Sequence, residues 1–429
     1  MHILIVTQHF PPEKGAVRRL FEFARIFVQE GHKVSVLTAI PNYPDGIVPE
    51  KYRGHFSYYE QIDGVDVYRS WVLPASNRYP IKRMIGFILF LFTALINARK
   101  IPGKVDVVLA STPPPTIPLI GWILSRWKRA TYVIEIRDLQ PESSESFGNL
   151  RPSLFTRSLK AMMHWFYRQA DWVVAVTDGI ASSLQKMPRP PKNILTIKSG
   201  FSSEFFNADM NGIRKTYGWE EKFIVCRAGT LGWAHHLEPI IEAARRMVRY
   251  PDIQFVFVGD GEKTKLLEEM VRDYGLKNVT FTGPQPLETI PHFLKASDVL
   301  IESLREVPLT EGTFPAKLFE YMAVGRPIVF GSRSGEAINE LNSAGGALSF
   351  AVDDIDKLCE LILKLRNGEI DGVALGDKYR AHADRHHHRH IWADRYLDLF
   401  DGLGGTSRMR QTRMSSKSEE VRETVGSSN

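Results

Sequence analysis

"ILIVTQHFPPEKGAVRRLFEFARIFVQEGHKVSVLTA", residues 3–39, decides the fold class. A run of Ile and Val leads into a loop that carries one glycine, Gly15. A helix-period segment follows, with Leu20, Phe23, Ala24 and Phe27 on one face and Gly31 as its stop. A second Val-containing run closes the unit. Strand, glycine loop, helix and strand make one βαβ unit, the crossover that two parallel strands require. Gly15 stands where backbone can approach an anionic ligand at a helix N-terminus, or where a loop merely turns.

The same alternation continues outward. "VDVYRS", "VDVVLAS", "TYVIEIR" and "WVVAVT" read as further strands of a first domain, residues 1–200. Residues 185–212, rich in Pro, Asn and Ser, read as a connection. A second series starts at "FIVCRAGTLG" (223–232) and runs through "IQFVFVGDG", "NVTFTG" and "DVLIESL" to "GGALSF". It predicts a second doubly wound domain over 201–378. The fold class is therefore α/β, with two Rossmann-like parallel-sheet domains facing a cleft at the carboxyl ends of their strands. The helical pattern over 379–400 is expected to cross back to the first domain. The Ser/Arg/Glu-rich tail, 404–429, has the composition of a disordered segment.

A chain of 429 residues is long enough for two cores. Its formal charge of +6 fits nucleic acid, an anionic membrane or a phosphorylated ligand. The basic residues are scattered, with no dense Lys/Arg block and no array of stacking aromatics, so nucleic acid is not expected as a partner. Two distant cysteines in apolar runs, Cys226 and Cys359, suit a reducing cytosol and give no disulfide or thiolate metal site. The start, "MHILIVTQHF", lacks the features of a signal peptide. The longest apolar stretch, Met84–Ile96, falls short of the about 20 residues that span a bilayer. It is either a helix buried on the first sheet or a face dipping into a membrane, with Lys82, Arg83, Arg99 and Lys100 as flanks. Residues 118–130 add two tryptophans and further basic residues, which favours membrane contact.

Chemistry concentrates in "TEGTFPAKLFEYMAVGRPIV", residues 310–329. Pro315 suits the first turn of a helix with Thr313 as its cap. The amides of Ala316, Lys317 and Leu318 are then expected as an anion site. Lys317 and Glu320, three apart, either pair with each other or reach one ligand. Amides suit a diphosphate and a carboxylate suits ribose hydroxyls, which describes half of a nucleotide-sugar site. The competing reading is a buried Lys–Glu pair with no ligand. Gly229 and Gly232, after the first strand of domain two, mark close approach to a phosphate or sugar, or a structural turn. In "RHHHRH" (385–390), His386 and His390 stand at i, i+4 and could hold a metal; a solvated or interdomain face is the preferred reading.

"FPPEKGAVRRLFEFARIFVQEGHKVSVLT", "FIVCRAGTLGWAHHLEPIIEAARRM" and "PAKLFEYMAVGRPIV" resemble the retaining GT-B glycosyltransferases of family 4. More closely they resemble the WbuB-like group that builds O-antigen and capsule polysaccharides. The resemblance runs over roughly residues 1 to 400. It implies Glu320 as the ribose ligand, with Gly15, Gly229, Gly232, His236, Phe281, Pro315, Lys317 and Leu318 on the substrate side. The family's first glutamate falls at Gly312, with Glu311 beside it as a catalytic candidate. The usual diphosphate clamp falls near Thr230 and His236, which shifts that load to Lys317, the helix amides and Arg227 or His235. Arg137 and Asp138 stand where relatives place a catalytic-face residue. The resemblance further implies a nucleotide-sugar donor, UDP-linked, and an N-acetylated or deoxy hexosamine. It also implies a lipid-linked saccharide acceptor at the inner face of the cytoplasmic membrane, with no metal and no other cofactor. A UDP-sugar 2-epimerase of the same fold and a catalytically silent nucleotide-sugar-binding protein are the alternatives.

Overall fold

The computed structural model describes residues 1–13, 17–76, 79–146, 151–210, 212–306 and 312–403. Gly15, Glu311 and the tail 404–429 lie outside the described residues. The first sheet has eight strands: β1 (His2–Val6), β2 (Lys33–Ala39), β3 (Ser57–Ile62), β4 (Val65–Ser70), β5 (Val107–Ser111), β6 (Thr131–Ile136), β7 (Trp172–Ala175) and β8 (Ile194–Thr196). Their order is β3-β4-β2-β1-β5-β6-β7-β8. β1 lies between β2 and β5 and is parallel to both, with Ile3 opposite Val34 and Val107. Its side chains are buried on both faces, which is why it reads as an unbroken apolar run.

Two strands of this sheet escape the apolar pattern. β3 is an antiparallel edge strand whose side chains are all at least partly accessible, so no buried face imposes a hydrophobic alternation. It joins β4 through Asp63 and Gly64, both at positive φ, the mirror-image turn that matches strand twist. β8 sits inside the Pro-rich stretch 185–212 and pairs with β7, Val173 opposite Ile194.

The second sheet is β9 (Phe223–Ala228), β10 (Ile253–Val258), β11 (Val279–Gly283), β12 (Val299–Ser303), β13 (Ile328–Gly331) and β14 (Leu348–Phe350). Every strand pair is parallel, in the order β11-β10-β9-β12-β13-β14. That is the doubly wound arrangement, with the order in which strands are added reversing between β9 and β12. Ligands of such sheets bind beyond the carboxyl ends of the strands at that switch. Alternation along β9 sends Ile224, Cys226 and Ala228 into one apolar cluster and Val225 into the other, so helices cover both faces.

Contacts gather the chain into two compact units: residues 1–110, 120–133 and 392 onward, and residues 111–119 with 134–391. The terminal helical pattern is two helices rather than one, Gly372–His386 and Arg389–Leu403. In the first, Tyr379 and Ala383 join the core of the second sheet. In the second, Tyr396 and Phe400 pack edge-on against Phe27, with ring centroids 5.9 and 5.6 Å away, and Tyr396 also meets Phe23 at 5.4 Å. Because the break falls at His387 and His388, His386 and His390 do not share a helix face, and the i, i+4 reading of that cluster fails.

The apolar stretch Met84–Ile96 also needs correction. The helix around it runs over Pro80–Lys100, 21 residues, long and apolar enough to cross a membrane by length and composition. One side of it is nevertheless packed. Gly86, Phe90, Thr93, Ala94 and Asn97 are buried, Thr93 Oγ1 donates to the Trp71 carbonyl at 2.6 Å, and Asn97 Nδ2 donates to the Arg69 carbonyl at 3.0 Å. The opposite side exposes Ile81, Met84, Ile85, Ile88, Phe92 and Ile96. The helix is thus packed on the first sheet along one side, as the buried reading expects, and carries exposed apolar residues along the other.

Candidate functional site

At the switch of the second sheet, two charged side chains end strands that are otherwise apolar. Arg227 is the last residue but one of β9 and Glu302 the last but one of β12; both are fully buried. Burying such groups is costly unless they are paired. Glu302 Oε2 meets Lys317 Nζ at 2.7 Å and Arg227 Nη2 at 3.6 Å, while its Oε1 lies 3.0 Å from His235 Nδ1. Three side chains, Arg227, His235 and Lys317, thus share the Glu302 carboxylate. Arg227, Lys317 and His235 hold the Glu302 carboxyl well below the usual range against its burial. Burial, then the Arg227 guanidinium, outweigh Glu302 and push the Lys317 ammonium down to about 8. Burial also lowers His235, so this imidazole is neutral near pH 7.

With His235 neutral, two cations face the Glu302 carboxylate, and Glu320 adds a second carboxylate near Lys317. Arg227 Nη1 donates to the Gly229 carbonyl at 2.7 Å. Its Nε and Nη2 have no hydrogen-bond acceptor among the described residues, an unusual condition for buried donors. The cluster can accept an anion.

Glycine makes the approach possible. Gly229 has φ +118°, and a Cβ there would lie 2.9 Å from Lys317 Nζ. At Gly259, φ +128°, a Cβ would stand 2.3 Å from the Gly229 carbonyl oxygen. The loops after β9 and β10 are tied together by Gly229 N–H donating to the Val258 carbonyl at 2.8 Å and Leu231 N–H to the Asp260 carbonyl at 3.0 Å. Gly232 lies in the first of these loops, its carbonyl accepting from the His235 amide at 3.1 Å.

The helix Lys317–Val324 starts later than the sequence implies. Ala316, not Thr313, precedes it, and no side chain caps it. Pro315 lies before the helix, and its carbonyl accepts from the Leu318 amide at 2.9 Å. The expectation of three open amides is corrected: Leu318 closes this turn, and Ala316 and Lys317 alone precede it. Lys317 is paired with Glu302. Glu320 is half-buried on the same helix. The next residue, Tyr321, anchors the helix to β9, its hydroxyl accepting from the Ala228 amide at 2.8 Å and donating to the Ala228 carbonyl at 3.1 Å.

Other predicted residues fall elsewhere. His236 Nε2 is 3.9 Å from Asp353 Oδ1. Phe281, on β11, stacks on Phe257 with centroids 5.1 Å apart, beside the apolar cluster. Arg137 Nε donates to the Thr112 carbonyl at 3.0 Å, and Asp138 is exposed just beyond β6. Gly312 acquires a physical reason. A Cβ on it would lie 2.8 Å from Gly179 Cα, and Thr177 Oγ1 donates to its carbonyl at 3.0 Å. A glutamate cannot occupy that position without moving backbone. Sequence reasoning missed Glu302; its only signal was a carboxylate in the apolar run "VLIESL".

Comparison with known proteins gives this geometry a context. A model of the glycosyl transferase 4-like domain matches residues 14–200, and one of glycosyl transferases group 1 matches residues 209–382. The putative colanic acid biosynthesis glycosyl transferase WcaI of Escherichia coli (strain K12) is 24% identical over 357 residues, 80% of this chain and 85% of WcaI. The putative teichuronic acid biosynthesis glycosyltransferase TuaH of Bacillus subtilis (strain 168) is 26% identical over 226 residues, 50% of this chain and 53% of TuaH. Among solved structures, sucrose-phosphate synthase from Thermosynechococcus elongatus aligns with TM-score 0.75 at 16% identity, over 95% of this chain and all of that one. HepE of Anabaena, solved in complex with UDP, aligns with TM-score 0.68 at 16% identity, over 94% and 100% of the two chains.

Proposed function

We propose that this chain, a glycosyltransferase with the GT-B fold, transfers a sugar with retention from a UDP-linked donor to a lipid-linked saccharide during cell-surface polysaccharide synthesis. The observation that carries this reading is the cluster of Arg227, Lys317, Glu302 and His235 at the switch of the second sheet, walled by glycine loops. A leaving diphosphate gains negative charge as the glycosidic bond breaks. Fixed cations and amides aimed at that charge are the largest source of rate that such a site supplies. Arg227 and Lys317 are assigned that work, so the transfer step is assigned no metal. Glu320 is assigned the ribose, and Arg137 and Asp138 the sugar or the acceptor hydroxyl. Relatives named for colanic acid, teichuronic acid and amylovoran synthesis favour transfer over epimerisation; the assignment of an N-acetylated or deoxy hexosamine rests on the sequence resemblance to the WbuB-like group. Solved neighbours holding UDP and UDP-glucose favour uridine in the donor.

A thermal-shift series across UDP-, GDP- and dTDP-sugars tests the donor. A ligand at a hundred times its Kd stabilises the fold by about 2.7 kcal/mol, so the UDP-sugars are expected to raise Tm by several degrees. No shift with any nucleotide sugar would sink the proposal. Glu320→Ala is expected to weaken UDP binding roughly 10- to 100-fold, the worth of charge-assisted hydrogen bonds to hydroxyls. Titration calorimetry reads it, and an unchanged Kd removes Glu320 from the donor site.

The exposed side of the helix Pro80–Lys100 supports a peripheral position on the cytoplasmic membrane face. Ile81, Ile85, Ile88 and Phe92 form an apolar stripe flanked by basic residues, the pattern of a helix lying in an interface. The combined variant Ile85→Glu, Ile88→Glu, Phe92→Glu is expected to lose at least about tenfold in co-sedimentation with phosphatidylglycerol vesicles. Equal binding by variant and parent would dismiss the membrane face.

A further inference from the structure

Away from the donor cluster, three metal-ligating atoms converge. Glu340 Oε1, on the helix Glu336–Ser343, lies 2.7 Å from His382 Nε2 and 2.7 Å from His387 Nε2. All three ligand atoms fall within 4.8 Å of one another. The side chains are 15%, 13% and 4% exposed respectively, so the cluster is recessed but open to a small ion.

The backbone holds these groups ready. His382 lies in the last turns of the helix Gly372–His386 and His387 just beyond its end. The His387 amide donates to the Ala383 carbonyl at 2.7 Å, and its carbonyl accepts from the Phe201 amide at 3.0 Å. Its ring packs on Phe319 at 4.7 Å between centroids. The Arg389 guanidinium fixes the next segment on the carbonyls of Ser199 and Gly200, each at 3.0 Å.

Charge points the same way. Lys198 Nζ lies 3.4 Å from Glu340 Oε2, 3.1 Å from Glu336 Oε1 and 2.9 Å from Asp178 Oδ2. Three carboxylates against one ammonium leave two negative charges when the imidazoles are neutral. A divalent cation balances them, and Lys198 engages Oε2 while Oε1 faces the histidines.

We propose that Glu340, His382 and His387 form a binding site for a divalent cation of the zinc class, distinct from the donor cluster and structural in role. Two imidazoles and one carboxylate suit zinc, with ligand distances of about 2.0–2.2 Å and water in a fourth position. The two Glu340–histidine distances of 2.7 Å are those of hydrogen bonds. Seating the ion requires them to widen to, and the two Nε2 atoms to settle at, the roughly 3.3–3.6 Å separation of tetrahedral ligands at about 2.0–2.2 Å. With the ion bound at Nε2, each neutral imidazole would carry its proton on Nδ1 instead, and the ion would staple the end of the helix Gly372–His386 to the helix Glu336–Ser343. This departs from the expectation that the chain holds no metal.

The full chain, stripped with EDTA and dialysed, is titrated with Zn2+ by calorimetry and with Co2+ by visible absorption. One equivalent is expected to bind, with a tetrahedral Co2+ spectrum. His382→Gln keeps an N–H donor to Glu340 but offers no imidazole nitrogen. It is expected to weaken Zn2+ binding at least about tenfold while its Tm in EDTA stays that of the parent. Glu340→Gln is expected to do the same to affinity. The double variant His386→Ala, His390→Ala tests adventitious binding by exposed histidines and is expected to bind as the parent does. Loss of binding in that double variant with retention in His382→Gln would overturn the proposal, as would no stoichiometric binding by the parent.

Discussion

Lys317→Ala is expected to lower kcat for sugar transfer about 10²- to 10³-fold, the cost of removing one fixed donor from a developing negative charge. Its ammonium is pinned 2.7 Å from Glu302 and borders Gly229, so it is placed before any donor arrives. The pH dependence separates this role from simple packing. Lys317 sits at about 8 in the folded chain against 10.5 for a free lysine. Between those values the unfolded chain holds a proton that the folded chain has released, so this residue makes stability rise with pH there. Diphosphate binding needs the ammonium, so affinity for UDP falls as pH rises through 8. The two trends run in opposite directions in one window. Calorimetry of UDP binding at pH 7 and pH 9 is expected to show weaker binding at the higher pH in the parent and a flatter profile in Lys317→Ala. A parent Kd that does not move with pH would remove Lys317 from the diphosphate site.

Glu302→Ala is expected to cost about 3–5 kcal/mol of stability, because it leaves Arg227 buried without its carboxylate. Arg227 and Glu302 are both fully buried, so neither can recover its hydration by turning outward. Replacing both charges tests whether the pair serves the fold or the ligand. Arg227→Met with Glu302→Leu removes both fully buried charges but leaves the Lys317 ammonium, 16% exposed, without its carboxylate, so stability is expected to recover only part of that loss. Transfer activity is not expected to return with it, since the Arg227 guanidinium is gone and Lys317 has lost the carboxylate that positions it. Denaturant midpoints and initial rates on the same preparations read both quantities. Recovery of activity in the double variant would make the cluster a packing device. Acid acts in the same sense: Glu302 is held well below 4.5, so its contribution is complete above that pH and is lost as pH falls toward its folded value.

The strands that sequence reading locates are those with buried faces. β1, β5 and β7 are legible because strands covered on both sides read as continuous apolar runs, and β2, β4 and β6 because Val, Ile or Leu still recur through them. β3 is not, because an accessible edge strand imposes no such pattern. β8 hides among prolines, since only its pairing with β7 makes three residues a strand. The donor-side helix is legible as an element but not in its caps. Thr313 has the chemistry of a cap, yet the chain turns at Pro315 and Ala316, and that turn consumes the Leu318 amide.

Site residues divide by the same rule. Lys317, Glu320, Gly229 and Gly232 stand out locally, because a charge in an apolar helix or a glycine after a strand is an anomaly within a few residues. Gly312 looked like a missing glutamate, and its explanation is Gly179, a backbone neighbour that no local pattern reveals. The sequence by itself determined two doubly wound α/β halves and the helix that bears Lys317 and Glu320, because both rest on periodicity and local chemistry. Only the tertiary structure decided that Arg227, His235 and Lys317 share the Glu302 carboxylate, and that Glu340 gathers His382 and His387. A buried charge must find its partner in space, and the strand order that brings such partners together is set by the packing of the whole sheet.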